Sequence, residues 1–234
     1  MGTVLEMMTT LRLLLPIALL ANFALSGCGS DPDARNFAAQ FMLLSAAISG
    51  AKDSSSLAAA SPAALSDVRA VLEADGQPIY LVVYPSLGYS KLMAPYGQNG
   101  DVQTWSSTNF ETVSLRQGML FATRGFGPDL MTATGPTVAE IATSQGQANR
   151  HYFYLDGSDT TRAFDYTCRR SSAGGETIQV LGRSYAARKV SESCVGPTGS
   201  FKNTYWFDQR SILRQSSQMV VPNRDNLVMQ RVID

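Results

Sequence analysis

From Gly76 to the C-terminus the sequence is punctuated. Short runs of β-branched and aromatic residues alternate with clusters of glycine, proline, asparagine and aspartate. This punctuation restricts the chain more than any other feature, because a segment too short for a packed helix and bounded by turn formers satisfies its backbone by pairing with a neighbour. Residues 79–84, IYLVVY, lying between Pro78 and Pro85, are the clearest case. The same reading predicts strands at 89–94 and 101–106, and a hairpin pairing 111–115 with 119–124 across Gly118. Further strands follow at 151–155, 161–170, 177–181, 185–193, 204–207, 212–221 and 227–232. DGSD, SAGG, GPTG, DQRS and PNRD supply turns between them. GFGPDL and the stretch to Gln147 interrupt the series, with a short helix at 136–144. The expected fold is mainly β. Roughly ten strands make an antiparallel meander that must curl or close, so we expect a strongly curved sheet or partial barrel with short N-terminal helices.

The N-terminal third reads differently. After Arg12 comes LLLPIALLANFAL, an uncharged run too short to cross a bilayer, which needs about 20 apolar residues, but of the length of a signal-peptide h-region. Leu25-Ser26-Gly27-Cys28 then resembles a bacterial lipobox, after which the leader is cut and the cysteine is acylated with chains such as palmitate. An ordinary secreted protein with a chance cysteine is the competing reading. By resemblance to lipoproteins in general, Gly29 beside the lipid-bearing residue points to the outer membrane, periplasmic face. The division expected is a signal peptide at 1–27, a tether and N-terminal helix at 28–61, and a single mainly-β periplasmic domain at 62–234. Phe37, Phe41, Leu44 and Ile48 form the stripe of the first helix. Leu65, Val68 and Leu72 form that of a second, at 62–75.

Charge and cysteine usage narrow the function. Nineteen basic and nineteen acidic residues leave no net charge, so nothing marks a nucleic-acid-binding surface. In an oxidising compartment Cys168 and Cys194 should pair, which chain-entropy arithmetic values at about 3.5 kcal/mol. Two free thiols or a metal pair are the alternatives. With one histidine and no CxxC spacing, no zinc site or other cofactor is expected. Phe164, Tyr166 and Cys168 alternate onto one strand face, which therefore packs and carries the sulfur inward or against a neighbour.

Two segments carry a family resemblance. DVQTWSSTNFETVSLRQGMLFATRGFGPDLM, 101–131, has a Thr-Trp pair, a strand, Arg-x-Gly, a second strand, then Thr-x-Gly-x-Gly-x-Asp-Leu. YWFDQRSILRQSSQMVVP, 205–222, has Tyr-Trp-x-Asp, a turn, then an arginine followed by Ser-Gln, here with one residue more between them. Together they resemble the YjbF/GfcB group 4 capsule lipoproteins over roughly 60–232. The resemblance implies a role in making or exporting exopolysaccharide or capsule beside other secretion components. It supplies no catalytic residues.

Independent reading of the residues also finds no catalytic set. His151, the only histidine, reads as a strand-edge residue, and no GxSxG accompanies it. Gly125 and Gly127 lack the spacing of a phosphate loop and read as a turn. Asp129 with Asp156 or Asp165 is a weak candidate carboxylate pair. Trp105 and Trp206 are candidates for stacking on sugar rings, against the commoner role of aromatics in filling cores. Three functions remain in play at this level: a non-enzymatic accessory of polysaccharide secretion, a half-barrel carrier for an acyl chain, and a polysaccharide-modifying enzyme.

Overall fold

The computed structural model describes residues 61–158 and 160–234. The leader, Cys28 and the helix expected at 35–51 lie outside the described residues. The first element is helix α1, Pro62–Asp75, with the bounds its sequence predicts. The Ser61 hydroxyl accepts from the Ala64 N–H, and Gly76, at φ 72°, closes the other end in the left-handed conformation.

Twelve strands follow: β1 Ile79–Tyr84, β2 Tyr89–Asn99, β3 Val102–Ser106, β4 Thr112–Arg116, β5 Met119–Arg124, β6 Leu130–Thr134, β7 Gly146–Leu155, β8 Thr161–Val180, β9 Arg183–Gly196, β10 Gly199–Phe207, β11 Leu213–Gln218 and β12 Leu227–Ile233. A short helix α2, Val138–Ala142, sits between β6 and β7. All twelve form one antiparallel sheet in the order β5-β4-β3-β2-β1-β12-β11-β10-β9-β8-β7-β6, nearly closed into a barrel. Its two outermost strands, β5 and β6, are consecutive in the chain and lie side by side without a regular ladder. Side chains bridge that seam. Leu130 N–H donates to the Thr123 hydroxyl at 3.0 Å, that hydroxyl donates to Asp129 at 3.1 Å, and the Arg124 guanidinium donates to the Leu130 carbonyl at 3.0 Å. Asp129 also accepts from the N–H groups of Gly125 and Phe126. The Thr-x-Gly-x-Gly-x-Asp-Leu run is therefore the clasp of the barrel, and its glycines, at φ 87° and 94°, make the turn.

Strand parity divides the side chains between an inner and an outer face. Inward lie Val82 and Tyr84 of β1 together with Tyr89, Met93, Trp105, Tyr152, Tyr154 and Tyr166. Outward, Ile79 and Leu81 pack with Leu72 of α1 and Val232. Strand β1 is thus covered on both faces, which is why IYLVVY is apolar throughout. Arg69 of α1, itself buried, donates to the carbonyls of Val180 at 2.7 Å and Val232 at 2.6 Å and ties the helix to two strands.

Three expectations need correction. SAGG at 172–175 is not a turn: β8 runs through it as one 20-residue strand, still paired with β9, bent at a bulge where Gly174 adopts φ 82°. Glycines serve a bulge as readily as a turn. Beyond the bend, Ile178, Val180 and Leu181 fold onto the outer core beside α1. The stretch after GFGPDL does not leave the sheet either, because β6 pairs with β7. Its small residues, LMTAT, give little strand signal. His151 is no edge residue: β7 has neighbours on both sides, and the imidazole Nδ1 lies 2.7 Å from Asp165 on the outer face.

Candidate functional site

The loops β2–β3, β4–β5 and β10–β11 fall at one end of the barrel, with α2 and the start of β1. There they enclose a cavity of about 440 Å³, a volume usual for small-ligand sites. Two of the loops are tight. Gln117 and Gly118 both have positive φ, 50° and 89°, the requirement of a two-residue hairpin turn that matches strand twist. The Gln117 N–H donates to the Asp101 carbonyl at 3.3 Å, and Arg116 pairs with the Asp101 carboxylate at 3.3 Å, so the β2–β3 and β4–β5 loops are locked together. Opposite them, Asp208 shapes the β10–β11 loop by accepting from the N–H groups of Arg210 and Ile212, both at 2.9 Å. Arg214 donates to Asp208 at 2.8 Å and also pairs with Asp234. Burial pushes the Asp208 carboxyl up, but the Arg214 hydrogen bond and the backbone donors outweigh it, and its pKa lies below the ordinary value.

The cavity floor is Trp105, 5% exposed, with Tyr80 set edge to face against it at 4.7 Å between ring centres. Burial raises the Tyr80 pKa, opposed by Arg231, so the phenol stays protonated and can donate. Around these rings stand Gln98, Gln103, Gln117 and Arg231. Trp105 was legible in the sequence, and Gln103 could have been found with it, since residues two apart on a strand share a face. Tyr80 and Arg231 come from β1 and β12 and Gln117 from the β4–β5 turn, and none of them carried a local signal of a site.

The other sequence candidates lie elsewhere. Trp206 is half-buried on the outer face, where its indole N–H donates to Glu176 and Lys189 sits 5.4 Å from the ring centre, under the bent arm of β8 and β9. The two tryptophans therefore do not share a groove. Cys168 and Cys194 face each other as direct cross-strand partners, joined by a disulfide with Cα atoms 4.0 Å apart, fully buried in the inner core. Glu192 lies near both sulfurs, yet with the sulfurs bonded to each other no thiolate faces it. The Glu192 carboxylate instead accepts from Arg150 at 2.7 Å and Asn203 at 2.9 Å, and the Tyr205 hydroxyl at 3.1 Å completes the cluster. Each weighed carboxylate has a local partner set: Asp129 holds the seam, Asp156 accepts from Ser158, Thr160 and Arg162, and Asp165 faces His151.

A family profile described as group 4 capsule polysaccharide lipoprotein gfcB, YjbF matches residues 55–232. The chain belongs to that family. Both segments that carried the resemblance fall inside the match and form the clasp and the two sides of the cavity. Among solved structures, the chain is similar to the hypothetical lipoprotein YmcC from Escherichia coli (K12), with a TM-score of 0.60 at 17% identity over 73% of this chain and 95% of that one. At that identity the likeness shows the fold alone. No curated protein matches the chain.

Proposed function

We propose that this family member is an outer-membrane-anchored periplasmic lipoprotein acting as a non-enzymatic accessory in the production or export of exopolysaccharide or capsule. Membership of a capsule polysaccharide lipoprotein family is the observation that carries the reading. The lipobox-like Leu25-Ser26-Gly27-Cys28 supports the anchor and a domain division at Cys28. The absence of a role in catalysis is supported by how the candidate groups are engaged. The histidine faces Asp165 on an open strand surface, and the carboxylates hold turns, so no nucleophile with a partnered base converges on the cavity among the described residues. Its partners are polysaccharide secretion components and, directly or through them, the polymer.

The acyl-carrier reading draws less support. Large side chains, Tyr84, Tyr152, Tyr166, Tyr205 and Phe207, occupy the barrel interior, and the cavity at its end is edged by amides. The test has two arms. Deleting the gene under conditions that express its neighbours is expected to lower extracellular polysaccharide, and the purified full chain is expected to leave the length of that polymer unchanged on incubation. Undiminished output in the deletion, or shortened polymer in the incubation, would refute the proposal.

A further inference from the structure

We propose that the cavity around Trp105 is a binding site for a neutral, hydroxyl-rich saccharide segment. The choice of ligand class rests on the polysaccharide role proposed above; the site itself rests on its geometry. Buried polar groups in proteins are nearly always hydrogen-bonded, so unpartnered ones call for an explanation. Here they converge. The Trp105 indole N–H is buried without an acceptor, and beside it the half-buried Tyr80 hydroxyl and Gln103 amide and the exposed Gln117 amide make no hydrogen bond to the described residues, so they stand open to a ligand. All four line one cavity. The other buried polar atoms without a partner among the described residues, on Tyr84, Tyr89, Arg170, Ser191 and Glu192, belong to residues that do not line this cavity.

The chemistry of the lining selects among ligands. A primary amide presents donors and an acceptor together, as a sugar hydroxyl does, and a phenol and an indole add donors. The half-buried Tyr80 ring, fixed edge to face against the buried Trp105, offers a rigid apolar surface for the C–H face of a pyranose. The charged groups at the rim are already matched: Asp101 by Arg116 and Arg231 by Asp234, each at 3.3 Å. That leaves no free cation to select a polyanion and no free anion to select an amine. An acyl chain would bury the unpartnered donors without supplying acceptors.

The test uses the full chain in detergent micelles carrying Trp206→Phe, which leaves Trp105 as the single tryptophan. Its indole N–H resonance and fluorescence are followed while short malto-, cello- and galacto-oligosaccharides are added, with oligogalacturonides and palmitate as charge and acyl controls. At least one neutral oligosaccharide is expected to give a saturable shift, weakened about tenfold or more by Gln103→Ala with Gln117→Ala, at an unchanged thermal midpoint. No saturable shift with any neutral probe, a shift indifferent to the double substitution, or a response to palmitate alone would overturn the assignment. Failure here is separable from failure of the export role. A deletion strain restored to full output by the Gln103→Ala, Gln117→Ala chain sinks the cavity proposal and spares the role. Saturable binding with undiminished output in the deletion does the reverse.

Discussion

Removing Arg150 would strand the Glu192 carboxylate where water does not reach, since both side chains are almost wholly buried. Breaking such a pair from one side costs about 3–5 kcal/mol, whereas replacing both partners by apolar residues often costs far less. Arg150→Met is therefore expected to lower the urea midpoint sharply, and adding Glu192→Leu to restore part of it. Loss of the disulfide through Cys168→Ala with Cys194→Ala should cost about 2–4 kcal/mol in the same assay. Acid sensitivity follows from Asp208 and Asp234. Burial pushes both carboxyls up, but hydrogen bonds from Arg214 outweigh it and hold both below the ordinary aspartate value. Because the folded pKa is the lower one, the unfolded chain takes up protons first as pH falls. The stability these groups contribute is full above about pH 5 and drains away below about pH 4. Urea midpoints measured from pH 7 to pH 3 should fall less steeply in Asp208→Asn than in the parent. At this scale the sequence told much about the cysteines, because parity along residues 164–168 puts the sulfur of Cys168 on the packed face of its strand. It told nothing about Arg150 and Glu192, since an isolated charge in a strand reads as a surface residue until its partner, 42 positions away, is seen.

Among the elements, the weakest join is the seam between β5 and β6, held by the Thr123, Arg124 and Asp129 clasp in place of a ladder. Asp129→Ala removes the acceptor for two backbone N–H groups and the Thr123 hydroxyl, at a cost of about 1–3 kcal/mol. Its distinguishing effect should be local: faster amide exchange in β5 and β6 than in β10 and β11. Gly182, at φ 78°, tests a different join. A methyl group there would meet the Ser66 nitrogen at 2.8 Å and the Leu65 carbonyl carbon at 2.9 Å, both backbone atoms, so Gly182→Ala should lift α1 from the bent arm of β8 and β9 and speed exchange in the helix. Strand β1, helix α1 and the β4–β5 hairpin were legible because each carries its own boundary chemistry, prolines around IYLVVY, a serine cap with a glycine stop, and glycine in the turn. Strand β6 was not, because it is held by β7 and the clasp more than by its own composition.

For the whole molecule, closure of the sheet is what creates a site, since the cavity takes walls from β1, β3, the β4–β5 turn, the β10–β11 loop and β12. Local pattern pointed to Trp105 and to a curved sheet, but not to which residues closure would set around that ring. Trp206, equally prominent in the sequence, is placed by the same closure on the outer face. In the role proposed above, a nearly closed β body works from a membrane anchor, which ties that role to Cys28. The direct test is the amount of extracellular polysaccharide made by a deletion strain restored with the parent chain or with Cys28→Ala, with protein abundance and N-terminal acylation followed by immunoblot and mass spectrometry. We expect the parent to restore output with an acylated Cys28, and Cys28→Ala to leave output at the level of the deletion despite comparable abundance. Full restoration by Cys28→Ala, or an unacylated Cys28 in the active parent, would contradict the account.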